Sequence, residues 1–339
     1  MSTVLESLNA ALHRAMQTDD SVILLGEDIL DPYGGAFKVT RGLSTAFPER
    51  VWSTPISEAG LVGVAAGLAL RGLRPVVEIM FGDFVTLAAD QIVNHIAKFR
   101  WMYNDQVRVP LVIRAPMGGR RGYGPTHSQT LEKLFLGLPG LKVLAPCDLQ
   151  VADWQAGGLL LEAIFDEEPV LFIENKLLYL SKLQKPADLP DFEVKPLNPA
   201  GSPPLFHLEI KGAPTPQLTL AAYGYMAGLA REAALQLAYE HEIFSEIVIP
   251  TQLSPFDGTI LPLTESVARS GRLLTIEEGT YSLGWGAEVL ARLVENLGPR
   301  LRVAWRLAAA ETPVPASGVL EEVSLPGVAE IVAAARKMV

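Results

Sequence analysis

Residues 57–84 read SEAGLVGVAAGLALRGLRPVVEIMFGDF. Ser57 is a good helix N-cap, Glu58 puts an acid in the first turn, and the apolar run that follows keeps helical spacing to Leu70. After Arg71-Gly72, the run from Val76 to Met80 reads as a buried strand. A helix feeding such a strand across a short turn is the unit of a parallel sheet covered by helices, so the fold class is α/β. Gly60, Gly63 and Gly67 fall on one face of the helix. Each costs stability relative to Ala, which points to a second backbone approaching that face, either from the domain's own sheet or from another chain.

The same alternation runs outward in both directions. Strands are expected near Val22–Leu25, Leu111–Arg114, Lys142–Ala145 and Val170–Glu174, with helices near Val85–Met102 and Leu149–Phe165. Eight prolines then fall between Pro186 and Pro216, a density that disfavours regular pairing and suggests an extended linker. Beyond it, strands near Leu218–Ala222, Ile247–Ile249 and Leu273–Ile276 alternate with helices near Ala227–His241, Leu261–Ser270, Ala287–Leu297 and Val328–Met338. The expected organisation is therefore a first domain over 1–185, a Pro-rich linker over 186–216 and a smaller α/β domain over 217–339.

The 339 residues suffice for two domains with separate cores. The longest wholly apolar stretch, Leu61–Leu70, is far too short for a membrane span, and the opening MSTVLESLNAALHRAM lacks the order of a secretory signal. A single cysteine, Cys147, excludes an internal disulfide and suits a reducing compartment, with cytoplasm the simplest placement. A formal net charge of −10 argues against nucleic acid as a partner. No short fixed repeat suggests a solenoid.

Three pieces carry candidate chemistry. The first is Glu58, where the helix N-terminus favours a charged carboxylate and burial against an apolar ring favours a protonated one; an ordinary first-turn acid would look the same. The second is Met80-Phe81-Gly82-Asp83-Phe84 at the C-terminal end of a buried strand, where parallel sheets bind ligands, although core aromatics would also fit. The third is the loop Gly122-Tyr123-Gly124-Pro125-Thr126-His127-Ser128-Gln129, too rich in Gly and Pro for helix or strand. Arg120 and Arg121 precede it, as anion-binding groups or as solvated charges. His13, His95, His207 and His241 lack such context.

Together these pieces resemble the beta subunit of the thiamine-diphosphate-dependent 2-oxoacid dehydrogenases, the decarboxylating component of the pyruvate, branched-chain and acetoin dehydrogenase complexes. The resemblance extends from Gly26-Glu27-Asp28 and Tyr33-Gly34-Gly35 to Ile276-Glu277-Glu278-Gly279, Leu283-Gly284-Trp285-Gly286, Glu311-Thr312-Pro313-Val314-Pro315 and Leu320-Glu321. It implies a transketolase-like pyrimidine-binding domain followed by a transketolase C-terminal-type domain. It also implies that Glu58 promotes the iminopyrimidine tautomer of thiamine diphosphate, that Phe84 stacks on the pyrimidine with Met80 and Phe81 as walls, and that His127 acts on substrate or acyl group.

No Gly-Asp-Gly occurs in the chain, so the resemblance assigns Mg2+ and the diphosphate to a separate alpha subunit. The implied assembly is an alpha2beta2 heterotetramer with a beta–beta contact, decarboxylating a 2-oxoacid and passing the acyl group to a lipoyl-bearing acyltransferase. A potassium ion near Leu111, Ala163, Ile164 and Asp166 is a further implication, although the family's Asn is Glu168 here. The usual Asp-Leu-Arg before the Pro-x-Asp turn is replaced by Val248-Ile249-Pro250-Thr251, ahead of Pro255-Phe256-Asp257. A two-subunit thiamine-dependent carboligase or decarboxylase with another acceptor, or a non-catalytic scaffold subunit, are the alternatives.

Overall fold

The computed structural model describes residues 2–197 and 203–339. The chain forms strands β1 (Val22–Gly26), β2 (Val51–Ser53), β3 (Arg74–Glu78), β4 (Val112–Met117), β5 (Lys142–Leu144), β6 (Val170–Asn175), β7 (Phe192–Leu197), β8 (Leu205–Ile210), β9 (Leu218–Ala222), β10 (Ser245–Ile249), β11 (Gln252–Ser254), β12 (Arg272–Thr280) and β13 (Val303–Ala309). They assemble into two sheets, ordered β11-β5-β6-β4-β3-β1-β2 and β13-β12-β9-β10-β8-β7. All pairs from β2 to β5 in the first sheet are parallel, as continuous apolar strands buried on both faces require.

Alternate strand residues feed two cores. Val22, Leu24, Val76 and Val112 pack with the helices Val4–Thr18 and Ala156–Phe165. Ile23, Leu25, Val77 and Ile113 pack with the helix Glu58–Leu70 and with Val85, Ala88, Ile92 and Ile96. That second core continues without a break into Leu263, Val267, Trp285 and Val289 of the C-terminal half. The halves share apolar interior instead of meeting across a polar seam. Moreover, β11 leaves the second half to pair antiparallel with β5 of the first.

A buried ion network ties the middle of the first sheet together. Arg114 on β4, 1% exposed, donates to Glu78 on β3 at 2.6 Å and to both oxygens of Glu174 on β6 at 2.8 and 2.7 Å. The Tyr179 hydroxyl donates to Glu174 at 2.5 Å.

Three expectations change, and one open alternative is decided. The single helix read over Val85–Met102 is a tight 3-10 stretch at Gly82–Ala88, a wide π-helical stretch at Gln91–Ile96 and an α-helix at Ala97–Met102. The wide turns absorb the extra residues needed to keep Val85, Ala88, Ile92 and Ile96 in one core. The helix read from Leu149 begins only at Ala156, because Leu149 and Val151 bridge to Gln184 and Trp154. The Pro-rich stretch 186–216 is not a free linker: β7 and β8 pair antiparallel, and β8 pairs with β10. Pro196 is tolerated because β7 is the outermost strand, where a missing N–H breaks no ladder; residues 198–202 of this stretch lie outside the described residues. Finally, the face carrying Gly60, Gly63 and Gly67 is exposed. Gly67 has no atom within 4 Å of where a Cβ would stand, so the domain's own sheet does not cover that face.

Candidate active site

Glu58 opens its helix as expected. The Ser57 hydroxyl accepts the Gly60 amide at 3.3 Å, which closes the first turn. The Glu58 side chain is nevertheless 4% exposed and accepts no hydrogen bond among the described residues. Its neighbour is a second carboxylate, Glu27, which follows β1 and accepts the Ser57 amide at 3.2 Å. Burial, and then the Glu58 charge, raise the pKa of Glu27 above the ordinary carboxylate value. The nearby Thr54 hydroxyl is buried without a partner. Two buried carboxylates at the C-terminal end of a parallel sheet, one of them unengaged, make a site for a hydrogen-bonding ring nitrogen or a shared proton.

The second group gathers where β3 ends. The imidazole of His127 is met edge-to-face by Phe81, with centroids 4.7 Å apart, and by Phe84 at 5.1 Å. Phe81 also meets Phe84 at 5.9 Å and Tyr123 at 5.8 Å. The Thr126 hydroxyl lies 2.9 Å from His127 Nδ1. Asp83 accepts the Gln129 amide at 3.3 Å, and burial raises its pKa while its other oxygen stays unpaired. The structure thus brings Phe81, Phe84 and His127 into one half-buried wall. Met80, half-buried, immediately precedes Phe81 in the chain. The helix that Glu58 opens shares the core on which Phe84 packs.

The loop bearing His127 is held by groups from the second half of the chain. The Gly119 amide donates to Glu278 on β12 at 2.6 Å, and Asn175 donates to the other oxygen of Glu278 at 2.9 Å. The amides of Arg120 and Gly122 donate to Glu321, on the short helix Gly318–Ser324, at 2.5 and 3.1 Å. Arg120 itself is structural: its guanidinium donates to the Pro326 carbonyl and its backbone is left-handed, at φ +64°. Arg121 is exposed, and its guanidinium donates to the Lys176 carbonyl at 3.4 Å. Of these anchors, Glu278 and Glu321 sit within motifs whose sequence offers one signal, acids inside otherwise apolar segments.

The pyrimidine end of thiamine diphosphate fits this donor set. The unengaged Glu58 carboxylate and the unpaired Thr54, Asp83 and Ser128 oxygens supply polar atoms that lack partners among the described residues. Of the oxygens proposed for a potassium ion, those of Leu111, Ile164 and Asp166 already hold partners within the chain. Arg74 already donates to the carbonyls of Ile164 and Asp166 at 3.3 and 3.1 Å. Lys142 occupies the Asp166 carboxylate at 2.5 Å, Arg100 pairs with Glu168, and the Leu111 carbonyl accepts the Val170 amide. In the second domain, His207, Glu209 and Glu246 converge. The Arg269 guanidinium already pairs with Glu246 and stands 3.3 Å from His207 Nε2, where a cation would have to sit.

Comparison with known proteins places these features. Residues 2–181 match the model of the transketolase pyrimidine binding domain, and residues 207–331 match that of the transketolase C-terminal domain. The chain is 39% identical over 338 residues to the mitochondrial pyruvate dehydrogenase E1 component subunit beta-2 of Oryza sativa subsp. japonica, covering 99% of this chain and 85% of that protein. It is 37% identical over 335 residues to the acetoin:2,6-dichlorophenolindophenol oxidoreductase subunit beta of Bacillus subtilis, covering 95% and 92%. Among solved structures, a split-gene transketolase described as an inactive beta4 tetramer superposes with a TM-score of 0.75 at 24% identity, over 99% of this chain and 97% of that one.

Proposed function

The chain belongs to the transketolase-like family that includes the beta subunits of the pyruvate dehydrogenase E1 component and of acetoin:2,6-dichlorophenolindophenol oxidoreductase, and from that premise we propose that it is the beta half of a thiamine-diphosphate-dependent 2-oxoacid dehydrogenase. The observation that carries this reading is Glu58, a buried carboxylate without a partner of its own, beside the protonation-prone Glu27. Thiamine diphosphate, when bound, supplies the nucleophilic carbon and the electron sink for decarboxylation.

The chain's own residues bind, orient and exclude water. Glu58 would hold a hydrogen bond at the pyrimidine ring, with Phe84 packed on it and Phe81 and Met80 as walls. His127 would donate toward the oxygen on which charge develops. Mg2+ and the diphosphate fall to an alpha subunit, because the sequence lacks Gly-Asp-Gly. The expected assembly is alpha2beta2. The uncovered face of Gly60, Gly63 and Gly67 supports a subunit contact there, and Ile56 and Trp101, 80% and 89% exposed, offer further apolar surface to a partner. Its site of work would be the cytoplasm; no described helix is long and apolar enough to cross a membrane.

A lipoyl domain is the proposed acyl acceptor. The near-equal identity to the acetoin enzyme's beta subunit supports a second reading, in which the complex cleaves or joins acetoin-like substrates. Turnover by the copurified two-subunit complex decides between them. Release of CO2 from a 2-oxoacid with acylation of an added lipoyl domain supports the dehydrogenase; acetoin cleavage without 2-oxoacid decarboxylation supports the second reading.

A further inference from the structure

The residue after β6 is Lys176, and its side chain is wholly buried. A buried ammonium is costly unless its donors are engaged. Its Nζ donates to the main-chain carbonyl of His127 at 2.5 Å and lies 5.4 Å from the centre of the Phe81 ring and 5.9 Å from that of Tyr123. These are three of the groups that build the wall around the imidazole, so one cation contacts the peptide, one ring that packs on His127 and the tyrosine of the same loop. On the other side, Glu278 and Glu321 hold the amides of Gly119, Arg120 and Gly122. The loop is therefore pinned at its start by two carboxylates and at His127 by an ammonium.

We propose that Lys176 is a positioning residue for His127: by fixing the His127 carbonyl against the Phe81 and Tyr123 rings, it sets where the imidazole stands without touching substrate. The proposal rests on His127 acting at the reacting end of the site. Lysine at this position follows from neither the packing of β6 nor its pairing, since an apolar residue would fill the same buried space without burying a charge. The charged groups facing Nζ are Asp83, Glu278 and Glu321, which favour the ammonium, and Arg121, which opposes it. Burial outweighs the three acids and brings its pKa down to about 8. A neutral amine still donates, but without the strengthening that charge confers, so the grip on His127 should weaken as pH rises through that value.

The test uses the intact two-subunit complex with three variants. Lys176→Met keeps the length and removes the donor, Lys176→Arg keeps a charge that does not titrate in the working range, and His127→Gln removes the imidazole. Lys176→Met should lower kcat by up to about 100-fold, the scale of an ångström of misplacement, with KM for the 2-oxoacid and the affinity for thiamine diphosphate little changed. Lys176→Arg should recover most of kcat and shift the alkaline fall in kcat to higher pH. Should Lys176→Met fail to fold, the alkaline limb of Lys176→Arg decides alone. An inactive His127→Gln alongside Lys176 variants with wild-type kcat and an unmoved alkaline limb overturns the proposal. Full turnover by His127→Gln would instead remove the reading of the site, and the proposal with it.

Discussion

The carboxylate of Glu321 accepts the amide of Arg120, 201 residues earlier in the chain, at 2.5 Å. With Gly122 held by the same group, the C-terminal half grips the loop that ends in His127. Glu321→Ala leaves both amides without their carboxylate acceptor, at a cost of about 1.5–3 kcal/mol for a hydrogen bond to a charged group. Limited proteolysis within residues 119–126 should quicken and the melting temperature should fall, while Glu321→Gln, which keeps one acceptor oxygen, should lie between. Unchanged cleavage in the alanine variant would contradict the clamp.

Glu58 is buried without a partner, so its role can be separated from folding. Glu58→Gln preserves shape and should leave the complex assembled by size-exclusion chromatography. Turnover should drop by about 10²–10⁴-fold, the range for a positioned acid–base group. Near-normal kcat would remove its assigned role.

Arg114 is enclosed between Glu78 and Glu174. Removing the cation alone strands two buried carboxylates, so Arg114→Met should cost about 3–5 kcal/mol in stability. Denaturant unfolding of the complex checks this; a loss below about 1 kcal/mol would mean that the network is not charge-paired as described.

Glu277, on β12, accepts the Gly286 amide at 3.0 Å and lies near Glu132, which itself accepts the Tyr223 hydroxyl at 2.5 Å. Burial first, and the Glu132 charge second, raise the pKa of Glu277 to about 8 from 4.5. A raised carboxyl pKa means that the folded state binds the extra proton. Its stabilising contribution is present at low pH and is lost as pH rises from 4.5 through about 8. Glu277→Gln mimics the protonated form and should flatten that decline, by on the order of a few kcal/mol. Melting temperatures at pH 5.5 and 8.5 test it: the variant should gain on the wild type slightly at the lower pH and by much more at the higher one.

Much of the fold could be read locally. Ser57 and the run to Leu70 locate one helix to its observed ends, Glu58–Leu70, and the closing helix Val328–Met338 is read as sharply. Reading failed where partners are remote. Phe192–Leu197 pairs with Leu205–Ile210, which in turn pairs because β10 offers it an edge, and the π-helical stretch at Gln91–Ile96 answers to packing instead of propensity. At the site, Phe81, Phe84 and His127 lie within 46 residues of one another and were legible as motifs. Lys176 was not, and Glu278 and Glu321 were legible as motif residues but not as anchors of the His127 loop, because each acts on a backbone atom far away in sequence.

The central claim is a cofactor site completed by two chains. Calorimetric titration of thiamine diphosphate with Mg2+ into this chain alone, and into its complex with a chain carrying Gly-Asp-Gly, tests it most directly. Tight binding by the complex, with none by the isolated chain, is the result the account requires. Equal binding by the isolated chain, or no binding by an intact complex, would contradict it.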